Sequence, residues 1–65
     1  MIKVVSSNVH SIGYEPDTLY VKFNNGALYE YYKVPESIFK AFLISSSKGK
    51  FVHNVLRNFY CKRIY

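Results

Sequence analysis

The stretch Ser45-Ser46-Ser47-Lys48-Gly49-Lys50 sets hydroxyls, a glycine and two ammonium groups just ahead of an apolar helical stripe. Backbone N–H groups at a helix start, joined by serine hydroxyls and lysines, suit an anion. Lys48 and Lys50 stand where the helix dipole disfavours a cation, by about 0.3–1 kcal/mol each at such a position. Ser47, Lys48, Gly49 and Lys50 therefore form an expected phosphate site; the plainer reading is a capping serine followed by solvated lysines. The G-x-x-x-x-G-K-[ST] pattern of a P-loop is absent.

Other reactive residues lead nowhere comparable. Ser45 and Lys48 match S-x-x-K, but the companion motifs and the large scaffold of the acyl-enzymes are missing. His10, His53 and Cys61 offer no closely spaced ligand pair and fall short of the four ligands a structural zinc takes. A His/Cys hydrolase needs a positioned nucleophile–base pair in a cleft, and a domain this small has little room for one. The expectation is no catalytic residue, no metal and no cofactor.

Tyrosines and bases remain. Tyr29, Tyr31 and Tyr32 fall together, and Tyr60 and Tyr65 are interleaved with Lys62 and Arg63. Such aromatic and basic mixtures stack on and neutralise single-stranded nucleic acid. Arg57 has a structural reason to be where it is, because a cation late in a helix suits the dipole. The charge is also uneven. The four acids (Glu15, Asp17, Glu30 and Glu36) all precede Ser37. After it come Lys40, Lys48, Lys50, Arg57, Lys62 and Arg63 without an acid, a formal +6. A basic half of this kind suits a polyanion.

Those groups must be held by 65 residues, one domain near the lower limit for folding alone. A single cysteine excludes an internal disulfide. Apolar packing has to suffice, and seven tyrosines and five phenylalanines supply it, each burying roughly 150–250 Å². The opening MIKVVSSNVH has no long apolar run before a small-residue cleavage site. Nor does any stretch approach the roughly 20 apolar residues of a membrane span. With a lone thiol, the expected location is the cytoplasm.

The first half reads as strands. Asn8 to Tyr14 is a candidate. A Glu15-Pro16-Asp17 turn leads to Leu19–Phe23, which alternates at period two. Asn24-Asn25-Gly26 marks a hairpin, Ala27–Tyr32 returns, and Met1–Val5 is a possible edge. The second half reads as helices. Val34-Pro35-Glu36 opens one with the stripe Ile38, Phe39, Phe42 and Leu43. The serine run ends it, and a second runs from about Lys48 to Phe59 with Phe51, Val52, Val55, Leu56 and Phe59 inward. Cys61–Tyr65 is too short to assign. The expected fold is α+β: a small antiparallel meander of about three strands, with a possible extra edge strand, then two helices packed on one face.

Hairpin register decides what the tyrosines do. A two-residue loop at Asn25-Gly26 sets Phe23 opposite Leu28 and turns Tyr29 and Tyr31 away from the core, toward Tyr20 and Lys22. A three-residue loop, with Gly26 left-handed, sets Phe23 opposite Ala27. Leu19, Val21, Phe23, Ala27, Tyr29 and Tyr31 then share the core face, and Tyr20, Lys22, Leu28, Glu30 and Tyr32 the other. One residue of slip exchanges the faces. The first register drives the Glu30 carboxylate into the core unpaired, at high cost. The second is therefore expected, with Tyr29 and Tyr31 structural and Tyr20 and Tyr32 the more exposed pair.

Ser6-Ser7, Ser11-Ile12-Gly13-Tyr14, Leu19, Val21, Phe23, Asn25-Gly26, Tyr29-Glu30-Tyr31, Val34-Pro35, Ser47-Lys48-Gly49-Lys50-Phe51, Tyr60 and Arg63-Ile64 follow one another in an order and spacing that spans nearly the whole chain. In this the sequence resembles the KTSC domain, a module found at the C-terminus of some lysyl-tRNA synthetases and as small stand-alone proteins of bacteria and their phages. His53 stands where an asparagine is expected, and Cys61 where a proline is. The resemblance implies an α+β module with a proposed RNA-binding role, and it supplies no catalytic residue.

The expected function is thus a small non-enzymatic module that binds a polyanion through its basic C-terminal half, with the resemblance implying RNA, of tRNA-like kind, as the nucleic acid. Lys48, Lys50, Arg57, Lys62 and Arg63 would contact phosphates, and Tyr20 and Tyr60 would stack. The alternative is a module, of phage origin for example, that binds a host protein through Tyr20, Lys22, Leu28 and Tyr32, since tyrosine is enriched at protein interfaces.

Overall fold

The computed structural model describes all 65 residues. Five strands form one antiparallel sheet in the order of the chain: β1 (Ile2–Lys3), β2 (Val9–Glu15), β3 (Thr18–Phe23), β4 (Leu28–Tyr31) and β5 (Cys61–Arg63). Between β4 and β5 come helix α1 (Glu36–Ile44), helix α2 (Lys48–Asn54) and a 3-10 turn at Leu56–Asn58.

The hairpin takes the three-residue loop. Lys22 faces Leu28, Val21 faces Tyr29 and Leu19 faces Tyr31. The Phe23 N–H donates to the Ala27 carbonyl at 2.8 Å, and Gly26 has a φ of 92°. Only a residue without Cβ adopts that conformation cheaply. One face of the sheet accordingly carries Ile12, Leu19, Val21 and Tyr31, all buried, against Phe42 and Leu56 of the helical layer. Ile38, Phe39, Leu43, Phe51, Val52 and Phe59 complete that packing. Tyr14 stacks on Phe39 with centroids 4.8 Å apart, and its hydroxyl donates to the Val34 carbonyl at 2.7 Å. Phe42 and Phe51 stack at 4.9 Å and join the two helices. Phe23 meets Tyr29 edge-on at 5.6 Å.

Two elements differ from expectation. The second helix stops at Asn54 instead of reaching Phe59, because the Asn58 amide donates to the Asn54 and Val55 carbonyls. Such a side-chain bond competes with the helical ladder. The tail is a strand. Cys61, Lys62 and Arg63 pair with Tyr31, Glu30 and Tyr29. Three residues carry no readable period, and the strand exists through its pairing with β4 rather than through propensity.

Candidate functional site

Alternation along the strands builds the face opposite the helices. Three rows cross it. Lys3 and Lys22 both stand opposite Ser11, with Leu28 next to Lys22. In the second row Gly13, Tyr20, Glu30 and Lys62 lie side by side. In the third, Glu15 meets Thr18, and the Tyr32 N–H donates to the Tyr60 carbonyl at 2.8 Å. The Met1 side chain lies over Gly13, its Cγ 3.1 Å from where a Cβ would stand. None of Tyr20, Leu28, Tyr32 or Tyr60 belongs to the core or to the residues packed against it. This is a helix-free platform bearing three tyrosines, three lysines and a central carboxylate.

Glu30 organises its middle. The Tyr32 hydroxyl donates to its Oε1 at 2.7 Å, and that bond, with some burial, raises the Tyr32 phenol above its ordinary pKa. The Tyr20 phenol is also raised, first by burial, then by the Glu15 and Glu30 charges. Lys62 is the register partner of Glu30 but forms no ion pair with it; the ion pair of the molecule is Lys40–Glu36 at 4.0 Å.

The expected site residues are divided by the fold. Tyr20, Tyr60 and Lys62 come together on the platform. Tyr20, Lys22, Leu28 and Tyr32, expected as a protein interface, lie on that same face. Arg63 alternates to the helical side of β5, beside Tyr29, while Lys50 and Arg57 are exposed in the helical layer. The basic half therefore does not form one surface. Lys48 is a correction. It is 9% exposed, and its Nζ donates to the Leu43 carbonyl at 3.1 Å and to that of Ser45. Its ammonium closes the end of α1, where carbonyls lack helical partners and a cation suits the dipole. It is not free for a phosphate.

The expected anion site at Ser47–Lys50 changes with it. Ser47 caps α2 by accepting the Lys50 N–H at 3.3 Å, and the Asn8 side chain is pressed against Gly49. Its hydroxyl and one of its two lysines are thus engaged within the protein. Nearby, Ser7, Asn8, Phe23, Asn24 and Asn25 line a polar pocket of about 290 Å³.

Exposure also sorts the tyrosines differently. Tyr31 is 5% exposed and its phenol is pushed up to about 12, mainly by burial. Tyr20, Tyr29 and Tyr32 are all half-buried, and the open tyrosines are Tyr60 and Tyr65. Lys3 was not expected on this face; Glu30 was expected on it but not as a site residue. Counting charge by halves of the chain hides Lys3; applying period two to the strand pairs finds both.

Comparison with known proteins follows the same span. A KTSC domain model matches residues 5–60. A protein of Tsukamurella paurometabola is 37% identical over 59 residues, covering 88% of this chain and 88% of that one. An uncharacterized protein of Stutzerimonas stutzeri is 36% identical over 58 residues, covering 86% and 82%. A lysine–tRNA ligase of a Nostoc species is 32% identical over 59 residues, which make up 88% of this chain and 10% of that protein. The crystal structure of a KTSC domain protein from Yersinia pestis superposes with a TM-score of 0.88 at 39% identity, covering 97% of this chain and 93% of that one.

Proposed function

The chain belongs to the KTSC domain family, and from that premise we propose that it is a non-enzymatic module that binds single-stranded RNA on the open face of its sheet. The observation that carries this reading is the gathering of Tyr20, Tyr32 and Tyr60 with Lys3, Lys22 and Lys62 on one helix-free face. Unstacked bases lie flat on aromatic rings, each contact worth about 1–3 kcal/mol, while lysines at both ends of the platform follow the phosphates. A similar segment within a lysine–tRNA ligase supports RNA as the polymer. Lys50, Arg57 and Arg63 lie off this face and add only long-range attraction.

The test is fluorescence anisotropy with a short labelled RNA across a salt series. Three neutralised phosphates give a slope of log affinity against log salt of roughly −2, at about 0.7 per phosphate. Replacing Lys22 and Lys62 with alanine reduces its magnitude by about 1.4 by the same rule, and Tyr20→Ala weakens binding at every salt concentration. Replacing Lys50 and Arg57 leaves the slope nearly intact. No binding at low salt, or equal losses from both lysine and helical-layer variants, overturns the reading.

A second reading, a protein-binding face, is favoured by the apolar part of the platform. Met1 is 62% and Ile64 46% exposed, and the Ile64 N–H donates to the carbonyl of half-buried Leu28 at 2.7 Å. Capture of one defined protein from nuclease-treated lysate, lost on Leu28→Asp, distinguishes it.

A further inference from the structure

We infer that Glu30 makes the platform selective for guanine; this rests on the RNA reading of the same face. Glu30 lies on β4, one strand in from the β5 edge, with Tyr20 across from it on β3, Lys62 across from it on β5 and Tyr32 beside it. A carboxylate in the middle of a polyanion-binding face repels phosphates, so a role in backbone contact is excluded. It can accept about four hydrogen bonds and takes the Tyr32 hydroxyl at Oε1. A base lying flat on a neighbouring tyrosine ring turns its Watson–Crick edge sideways, along the sheet surface, toward that carboxylate.

Of the four RNA bases, guanine alone presents two adjacent donors on that edge, the ring N1–H and the exocyclic amino group. They match the two oxygens of a carboxylate. Cytosine and adenine present one amino group beside an acceptor nitrogen, and uracil one N–H between two carbonyls, which the carboxylate repels. Tyr32 holds Glu30 in place, and Lys22 and Lys62 on either side follow the phosphates flanking the bound base. The ordering expected from this chemistry is guanine first, then adenine and cytosine, with uracil last.

Labelled uridine octamers, either plain or with guanosine, adenosine, cytidine or inosine at two central positions, provide the assay. Anisotropy titrations at fixed salt give each affinity. Guanosine is expected to tighten binding over uridine by about 5- to 150-fold. Inosine, which keeps N1–H but lacks the amino group, is expected to lose most of that gain. Glu30→Gln replaces one carboxylate oxygen with a donor and brings the guanosine and uridine probes to within about twofold, with the salt slope kept. The inosine comparison uses the unaltered protein, so it holds even where a Glu30 variant folds poorly. Equal, salt-dependent binding of all five probes overturns guanine selection and leaves the RNA reading standing. Absence of binding by every probe overturns both. A guanine preference that survives Glu30→Gln assigns the selectivity elsewhere and removes Glu30 from it.

Discussion

Lys48→Met separates the structural lysine from those proposed to contact RNA. Methionine keeps most of the buried stem and removes the ammonium that closes α1 through the Leu43 and Ser45 carbonyls. A hydrogen bond to a charged group contributes about 1.5–3 kcal/mol, so the two together are worth roughly 3–6 kcal/mol before any offset. Two offsets reduce this. The variant no longer desolvates an ammonium, and water reaches part of the exposed carbonyl end. A net loss of about 2 kcal/mol remains, which for a domain of this size lowers the melting temperature by roughly 8–16 °C. The control is Lys50→Met on the exposed side of the same helix, expected within about 0.5 kcal/mol of wild type. Urea unfolding followed by circular dichroism measures both midpoints, and an unchanged m-value shows that the denatured state is not the cause. At a temperature where Lys48→Met is folded, its RNA salt slope matches wild type. A Lys48 variant as stable as wild type, or a Lys50 variant equally damaged, refutes the capping role.

Tyr31 makes stability fall in alkali: its phenol ionises near 10.0 when unfolded and at about 12 when folded, so the folded state holds the proton longer. That contribution is intact below pH 10 and is lost as pH rises through the folded value, by about 2–3 kcal/mol in all; urea midpoints at pH 9 and pH 11.5 show the drop, and Tyr31→Phe makes it smaller while leaving the share of the other raised phenols, Tyr14, Tyr20 and Tyr32. Gly26→Val costs about 1–2 kcal/mol through its positive φ alone, since no atom lies within 4 Å of the added Cβ; thermal melts should show Gly26→Asn less damaged, and equal melting temperatures for all three proteins count against the loop conformation. Gly49→Ala brings a Cβ to 2.8 Å from the Asn8 Oδ1, so its helix-propensity gain of about 0.5–1 kcal/mol is realised in full only when combined with Asn8→Ala; strict additivity in a double-mutant cycle would show the two do not touch.

The register was legible because one charge decided it. Glu30 could not be buried, so the alternation of β3 and β4 had a single acceptable phase, and the core face followed from it. The helical stripes were legible because Ile38, Phe39, Phe42 and Leu43 recur at helical spacing. The end of α2 was not, because an asparagine side chain competing for two carbonyls leaves no mark on apolar periodicity. β5 was not, because three residues paired to a strand thirty positions earlier in the chain carry no local signal; their partners are set by tertiary structure. The site was half legible for the same reason. Tyr20 and Glu30 share a face by the hairpin register alone, and Tyr60 and Lys62 stand out in the aromatic and basic tail, but joining the two sets with Lys3 required the strand order. Lys48 was misread because its charge was counted without the neighbouring helix end, whose carbonyls take it.

The position of β5 bears on the order in which the molecule can be made. β4 receives one neighbour from the hairpin and the other only after the entire helical arm has been produced and folded back. During synthesis the meander therefore exists for a time with β4 as a bare edge, its outward N–H and C=O groups open to any extended chain. Closing it joins segments far apart in sequence, the slow class of contact. The helical arm is thus more than a lid on the core: by laying Phe59 against the core it delivers the strand that seals the sheet. A nascent domain stalled before Tyr60 would have its core face mostly covered while its open sheet face still lacked Tyr60 and Lys62. Fold and platform are completed by the same few residues, so a chain that has not finished folding has not yet assembled its site.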